Sequence, residues 1–369
     1  MSVTIDQIEI YASPIKLKEP FVISLGPLTH AENVVIVIRT SEGITGFGEC
    51  SPFLTINGES MGTAVAVAPL LAGKLKGKNA LDIPDCVLSM DKIIFGNSSI
   101  KSAFDMALYD ISAQHAQLPL YAFLGGGKIK PIQTDYTISL GPLEKMISDA
   151  QRIKERGFQI IKVKLGGTKE EDIQRIKSIR QQIGNEITLR IDANQGWTPL
   201  DALEILKTLA PYDIQHCEEP IPRWQYMKLP FLREQSPIPI MCDESCCDEH
   251  DAQRLIELKA CDALNVKLGK SSGIFNALKI IRLAEQAKLN LQIGGFLESR
   301  LAFTASAHLA LCSECIMYYD FDTPMMFEED PVVGGIQYGE QGIVEVPDVI
   351  GLGATMDGDY LKRLKKIIV

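Results

Sequence analysis

The chain has 369 residues, 46% of them hydrophobic and 23% charged, with a net charge of −10. That is length and apolar content for one large or two smaller globular domains. The acidic balance argues against a nucleic-acid or anionic-membrane surface. No apolar run reaches the length of a membrane span, and the first 20 residues lack a signal peptide's apolar core, so the expected location is cytoplasmic.

Residues 1–128 read as a first domain. "VTIDQIEIYAS", "FVISLGPL", "NVVIVIRTSEG" and "ITGFGECSP" alternate, or carry β-branched residues between turn signals. They predict antiparallel strands, with "TSEG" as a hairpin turn. "GTAVAVAPLLAGKL" and "SIKSAFDMALYDISAQHAQL" have helical spacing, the second with small residues suited to close packing.

From 129 to 324 the pattern becomes regular. Short apolar strands are predicted at 132–138, 159–165, 187–192, 213–218, 239–244, 263–268, 291–295 and 315–320, separated by helix-like stretches such as "EEDIQRIKSIRQQIG". Eight strands alternating with helices predict a (β/α)8-type TIM barrel behind an α+β capping domain. An open doubly wound sheet is the rival, but no G-x-G-x-x-G follows a first strand. Residues 325–369, punctuated by Gly and Pro, are expected to return onto the capping domain. The nine cysteines are odd in number and irregular in spacing, which predicts free thiols in a reducing compartment. Cys242, Cys246, Cys247 and His250 are a zinc candidate without a second paired-cysteine motif.

One stretch needs explaining. "IIKVKLGG" puts Lys162 and Lys164 two apart on a strand that should be buried, so both project to one face. Two like charges in an apolar setting are costly. In a barrel the C-terminal strand ends carry the chemistry. The next three strands end in Asp192 ("RIDANQGW"), Glu218 ("HCEEP") and Asp243 ("MCDES"). Three converging carboxylates without His or Cys suit a hard cation, Mg²⁺ first and Mn²⁺ second. The sixth strand ends in Lys267, so Lys164 and Lys267 flank that triad as paired bases. Each needs a lowered pKa to act, which Lys162 and the ion would provide.

On these residues the sequence resembles the enolase superfamily, muconate-lactonizing subgroup, over nearly its whole length. The resemblance implies a (β/α)7β barrel and marks Lys162, Lys164, Asp192, Glu218, Asp243 and Lys267 as functional. Glu218 matches the family's ligand, and the adjacent acid Glu219 stands where that family often has Gln. The "DFD" after the eighth strand resembles dipeptide epimerases, in which the aspartates matching Asp320 and Asp322 receive the substrate ammonium. Strand seven lacks the His base of mandelate-racemase-like enzymes, and His308 reads as a packed helix residue.

Thr137, Gly295 and Leu297 match pocket positions, and Ser24, Gly26 and residues 53–58 match covering loops. Gly26 stands where Ala-Glu epimerases carry an arginine. The expected substrate is therefore an Ala-Ala-like dipeptide with a small or apolar C-terminal residue, unless Lys16 or Lys18 reaches in. The implied reaction is Mg²⁺-dependent epimerisation by 1,1-proton transfer through an enediolate, an isomerase activity of cell-wall peptide metabolism. Ala-Glu epimerisation, cycloisomerisation and o-succinylbenzoate synthesis are the enzymatic alternatives, and a non-catalytic peptide-binding barrel is the alternative of another class. Homo-oligomer formation is left open.

Overall fold

The computed structural model describes residues 3–369; Met1 and Ser2, at the start of the stretch read as the first strand, lie outside them. An antiparallel sheet contains Ile5–Ile23, Gly26–Thr40 and Thr45–Cys50, and the C-terminal strand Lys366–Ile368 pairs beside the first. "FVISLGPL" is the tip of a long hairpin: Ile23 pairs with Gly26, and Ser24 and Leu25 form its turn. Gly26 has φ +123°, which glycine adopts without a steric cost.

Helices Met61–Leu75, Ile83–Asp91 and Ser98–His115 accompany this sheet. The middle one was not legible from periodicity. It has only two turns, and its start is set locally by the Asp82 side chain accepting from Asp85 N. The third helix lies against strand Thr45–Cys50. A Cβ at Gly48 would sit 1.9 Å from the carbonyl oxygen of Ala103, and one at Gly46 2.2 Å from that of Ala107.

The second sheet has eight parallel strands in chain order. They are Tyr136–Ile138, Ile160–Lys164, Thr188–Asp192, Ile214–Glu218, Ile240–Cys242, Ala263–Lys267, Asn290–Gly294 and Ile316–Tyr319. Among the described residues, seven α-helices lie between them: Leu143–Glu155, Lys169–Ile183, Pro199–Leu209, Leu229–Gln235, Glu249–Glu257, Ile274–Ala287 and Arg300–Leu309. This is the (β/α)7β arrangement. The eighth strand leads instead into a short 3₁₀ turn, Thr323–Met326.

The backbone ladder does not run between the first and last barrel strands. Side chains bridge that seam. Phe321 N donates to Thr134 Oγ1 at 2.7 Å, and Thr137 N donates to Asp322 Oδ2 at 2.6 Å. This explains why the predicted strand 132–138 is broken. Ile132–Gln133 joins a small outer sheet, Tyr136–Ile138 enters the barrel, and the intervening Thr134 and Asp135 are fully buried.

Two carboxylates from the first domain cap barrel helices. Asp105 accepts from Ile274 N at 2.5 Å, at the start of helix Ile274–Ala287. Glu49 accepts from Ser299 N and Oγ and from Ala302 N, at the start of helix Arg300–Leu309. Both ends present unpaired N–H groups and positive dipole, so a buried acceptor is favourable there. The hairpin tip reaches the barrel mouth through Ser24 Oγ, which donates to Asn194 O at 2.7 Å.

Thr134→Val keeps the shape but strands the Phe321 N–H inside the seam. The expected cost is about 1–3 kcal/mol, read as a lower urea midpoint with an unchanged slope.

Candidate active site

The strand ends answer the question raised by Lys162 and Lys164. Both are buried and face inward, onto carboxylates of the neighbouring strands. Lys164 Nζ lies 2.6 Å from Asp192 Oδ2. Lys162 Nζ lies 3.2 Å from Asp192 Oδ2, 2.8 Å from Glu218 Oε2 and 2.9 Å from Asp320 Oδ2. Across the barrel, Lys267 Nζ lies 2.7 Å from Asp243 Oδ2. The second and sixth of eight strands are diametrically opposed, with strands three to five between them on one side. Lys164 and Lys267 therefore reach a common space from strands separated by three others. They line a narrow cavity of about 40 Å³, with Thr137, Gly295, Leu297, Asp320 and Asp322.

Asp192 and Glu218 are register partners at the ends of adjacent strands, and Asp243 follows the next strand directly. Glu218 is oriented by Asn265 Nδ2 at 2.9 Å and Gln292 Nε2 at 3.1 Å, and Asp192 Oδ1 accepts from Asn194 N at 2.8 Å. Glu219 turns away in a left-handed conformation, φ 36°. Its carboxylate accepts from Asp243 N at 2.6 Å and from Ser245 N and Oγ. Its oxygens are thus committed to holding the Asp243 loop, which leaves Glu218 as the carboxylate that faces the barrel axis. Burial pushes the Glu219 carboxyl up to about 7.

The donor set has the chemistry of a hard-cation site, although oxygens of Asp192, Glu218 and Asp243 do not all lie within 4.8 Å of one another. These three are buried carboxylates from successive strands, and Asp243 Oδ2 and the neighbouring Glu244 Oε2 and Asn194 Oδ1 are buried without hydrogen-bond donors. Lysine ammonium groups, rather than one another, are the nearest ionic partners of these three carboxylates. The tightest acidic grouping among the described residues is a different one: Asp135, Asp320 and Asp322, with an oxygen from each within 4.8 Å of the others. This second cluster is already partly neutralised. Arg190 Nη1 lies 2.8 Å from Asp135 Oδ2, and Lys162 serves Asp320.

Within that cluster the two aspartates differ. Burial, then the charge of Asp320, pushes Asp322 up to about 7. Burial would raise Asp320 too, but Lys162, with Lys164 and Lys267, holds it well below the usual carboxylate range. An ammonium group entering between them would satisfy both.

Several expectations need correction. Burial, and Lys162 as expected, would lower the pKa of Lys267, but Asp243 and Glu218 outweigh them and hold it high. Lys162 is held high in the same way, by Asp320, Glu218 and Asp192 against burial. Only a further positive charge on the same carboxylates would reverse the balance. Gly26 does not line the narrow cavity. It borders an adjoining groove, which meets the cavity at Ile23, Phe53 and Leu297. Lys16 pairs with Glu328 and Lys18 bonds Met325 O, so neither reaches in. Cys242, Cys246, Cys247 and His250 form no metal-ligating group among the described residues, and all nine cysteines are free thiols.

Other contributors had weak sequence signals. Asn265 and Gln292 sit two residues before strand-end positions and share their faces, which spacing alone could have revealed. Phe53 and Ile56, from the predicted covering loop, line the cavity, as do Phe21 and Phe296. Loop residues of this kind follow no period.

His308 is a packing residue. Its ring stacks on Tyr121 at 5.9 Å, Nδ1 accepts from Tyr121 N at 3.1 Å, and Nε2 lies 3.0 Å from Leu352 O. Burial pushes its pKa down to about 4. Unfolding lets the ring take up a proton near pH 6.5, so between pH 6.5 and 4 stability falls as pH falls. The contribution is up to about 3 kcal/mol. Urea titrations at pH 7 and 4.5 should show a smaller pH-dependent loss in His308→Gln than in the unaltered chain.

The chain matches two family models: Mandelate racemase / muconate lactonizing enzyme, N-terminal domain, over residues 5–125, and Enolase C-terminal domain-like, over residues 145–360. A D-Ala-D/L-Ala epimerase of Cytophaga hutchinsonii is 61% identical, covering 99% of both chains. A hydrophobic dipeptide epimerase of Enterococcus faecalis is 38% identical over 95% of this chain and 99% of its own. The solved structure of a dipeptide epimerase from Cytophaga hutchinsonii, complexed with Mg and the dipeptide D-Ala-L-Val, superposes with a TM-score of 0.99 at 61% identity, covering 99% of this chain and 100% of its own.

Proposed function

The chain belongs to the enolase superfamily, and from that membership we propose that it epimerises the C-terminal residue of Ala-Ala-like dipeptides, those with a small or apolar C-terminal side chain. The observation that carries this reading is that Lys164 and Lys267, from the second and sixth strands, border one cavity that also presents Asp320 and Asp322. Inversion at a carbon needs a proton removed on one face and returned on the other. The aspartates give the substrate's ammonium end a place to bind. That requirement is absent from cycloisomerisation or o-succinylbenzoate synthesis. It also sets the chain apart from a passive binder, which needs no opposed amines.

In the proposed reaction Asp320 and Asp322 hold the ammonium group. One lysine takes the α-proton, giving an enediolate whose oxygens face Lys162, a preorganised cation. The other lysine returns a proton to the opposite face. Asp192, Glu218 and Asp243 would hold Mg²⁺, with Mn²⁺ as a substitute; when bound, the ion supplies positive charge for the substrate carboxylate and acidifies its α-proton. Thr137, Gly295 and Leu297 border the bound peptide, and Phe53 and Ile56 exclude water. Gly26 acts from the adjoining groove by setting the hairpin turn. No arginine lines the cavity, which favours an apolar C-terminal side chain over glutamate.

The unit boundaries at about 128 and 324, a cytoplasmic setting and a role in cell-wall peptide turnover complete the proposal. No helix among the described residues is long and apolar enough to cross a membrane.

Ala-Ala diastereomers incubated with the enzyme and Mg²⁺ in D₂O should take up deuterium only at the C-terminal α-carbon, by mass spectrometry and NMR. Chelation should stop the uptake. Lys164→Ala and Lys267→Ala should each abolish exchange from one hand of substrate; unchanged exchange in both would end the two-base scheme.

A further inference from the structure

Lys270 carries no role in the reaction as described, yet it is as deeply buried as any group in the site. It lies three residues past Lys267, beyond the end of its strand, where no alternation would have marked it. Its Nζ lies 2.5 Å from Asp243 Oδ1, 2.5 Å from the Asp243 carbonyl oxygen and 2.9 Å from the Asn265 carbonyl oxygen. Those three acceptors match the three donors of an ammonium group. On the other side of the same residue, Glu219 accepts from Asp243 N at 2.6 Å. The backbone N–H, the carbonyl and one carboxylate oxygen of Asp243 are thus fixed by two buried charges of opposite sign. The other oxygen, Oδ2, has no hydrogen-bond donor, although Lys267 lies 2.7 Å away.

We propose that Lys270 is a positioning residue that occupies Oδ1 of Asp243 and thereby presents Oδ2 alone to the divalent cation. The inference rests on the reading of Asp192, Glu218 and Asp243 as the metal ligands. A carboxylate free to rotate can bind an ion through either oxygen or both. One that is clamped at Oδ1 and at both backbone groups binds through one, in a fixed direction. For Mg²⁺, which demands near-octahedral geometry, such fixing separates a defined site from a merely acidic one. Lys270 also neutralises one of three neighbouring negative charges without reaching the substrate cavity, whose lining includes Lys267 but not Lys270.

The test uses Mn²⁺ alone, counted as free ion by electron paramagnetic resonance, on the full chain. Lys270→Met should weaken Mn²⁺ binding about tenfold or more. In the Asp243→Asn background the same change should cost little further, because the lysine acts through that carboxylate. An equal loss in both backgrounds, or no loss in the first, overturns the proposal. A crystal of the unaltered chain with Mg²⁺ decides the matter even if the variants fail to fold. Single-oxygen ligation through Oδ2 with Lys270 on Oδ1 supports it, and two-oxygen ligation by Asp243 overturns it. Failure of the unaltered chain to bind Mn²⁺ would remove the metal reading as well, whereas binding that ignores Lys270 removes this inference only.

Discussion

Four buried ammonium groups, those of Lys162, Lys164, Lys267 and Lys270, are placed within ionic reach of four buried carboxylates, Asp192, Glu218, Asp243 and Asp320. Taking any one of these charges out of water is costly, and the mutual attraction repays it only if the partners stay in register. Removing one partner of such a pair typically costs about 3–5 kcal/mol, because the other is left buried and uncompensated. The remaining architecture can be read as a means of holding these side chains where they alternate in sign. Parallel strands put them at one end, strand pairing sets Asp192 beside Glu218, and Glu219 and Asn265 fix what the strands leave loose.

The same arrangement holds Lys162, Lys267 and Lys270 in the protonated form, against the burial that would lower their pKa. Each carboxylate that makes burial tolerable also favours the protonated amine. The site is therefore tuned by competition: whatever cation binds the carboxylates weakens their hold on the lysines. Charge balance, ligand affinity and proton affinity are one coupled property here, and no single residue owns it.

Much of this was legible in the sequence, because a barrel strand is short, apolar and ends in its functional residue. Seven barrel strands fall where alternation and turn residues place them, and the first keeps only the last three residues of its predicted span. The strand-end lysines and acids are the residues that meet. What escaped had a physical reason. The break at Thr134 and Asp135 serves a seam formed by residues almost 200 positions apart in the chain. Helix Ile83–Asp91 is too short to show a period. Lys270 lies past a strand end, where side-chain direction follows from the local turn. The role of Glu219 could not be separated from that of Glu218, since two adjacent acids look alike until the backbone turns between them. For Lys267 the carboxylates Asp243 and Glu218, on neighbouring parts of the barrel, outweigh the lowering by burial and by Lys162, a balance that strand-end spacing does not reveal.

The two carboxylates that close barrel helices from outside, Asp105 and Glu49, have an evolutionary consequence. Each lobe owns half of a polar joint whose other half is mostly main-chain N–H, with the Ser299 hydroxyl as a side-chain donor to Glu49. Recombining a lobe from a distant relative would succeed only if its acid arrives at the same helix start. Diversification in such a molecule is channelled away from lobe exchange and into the rim segments that no joint constrains.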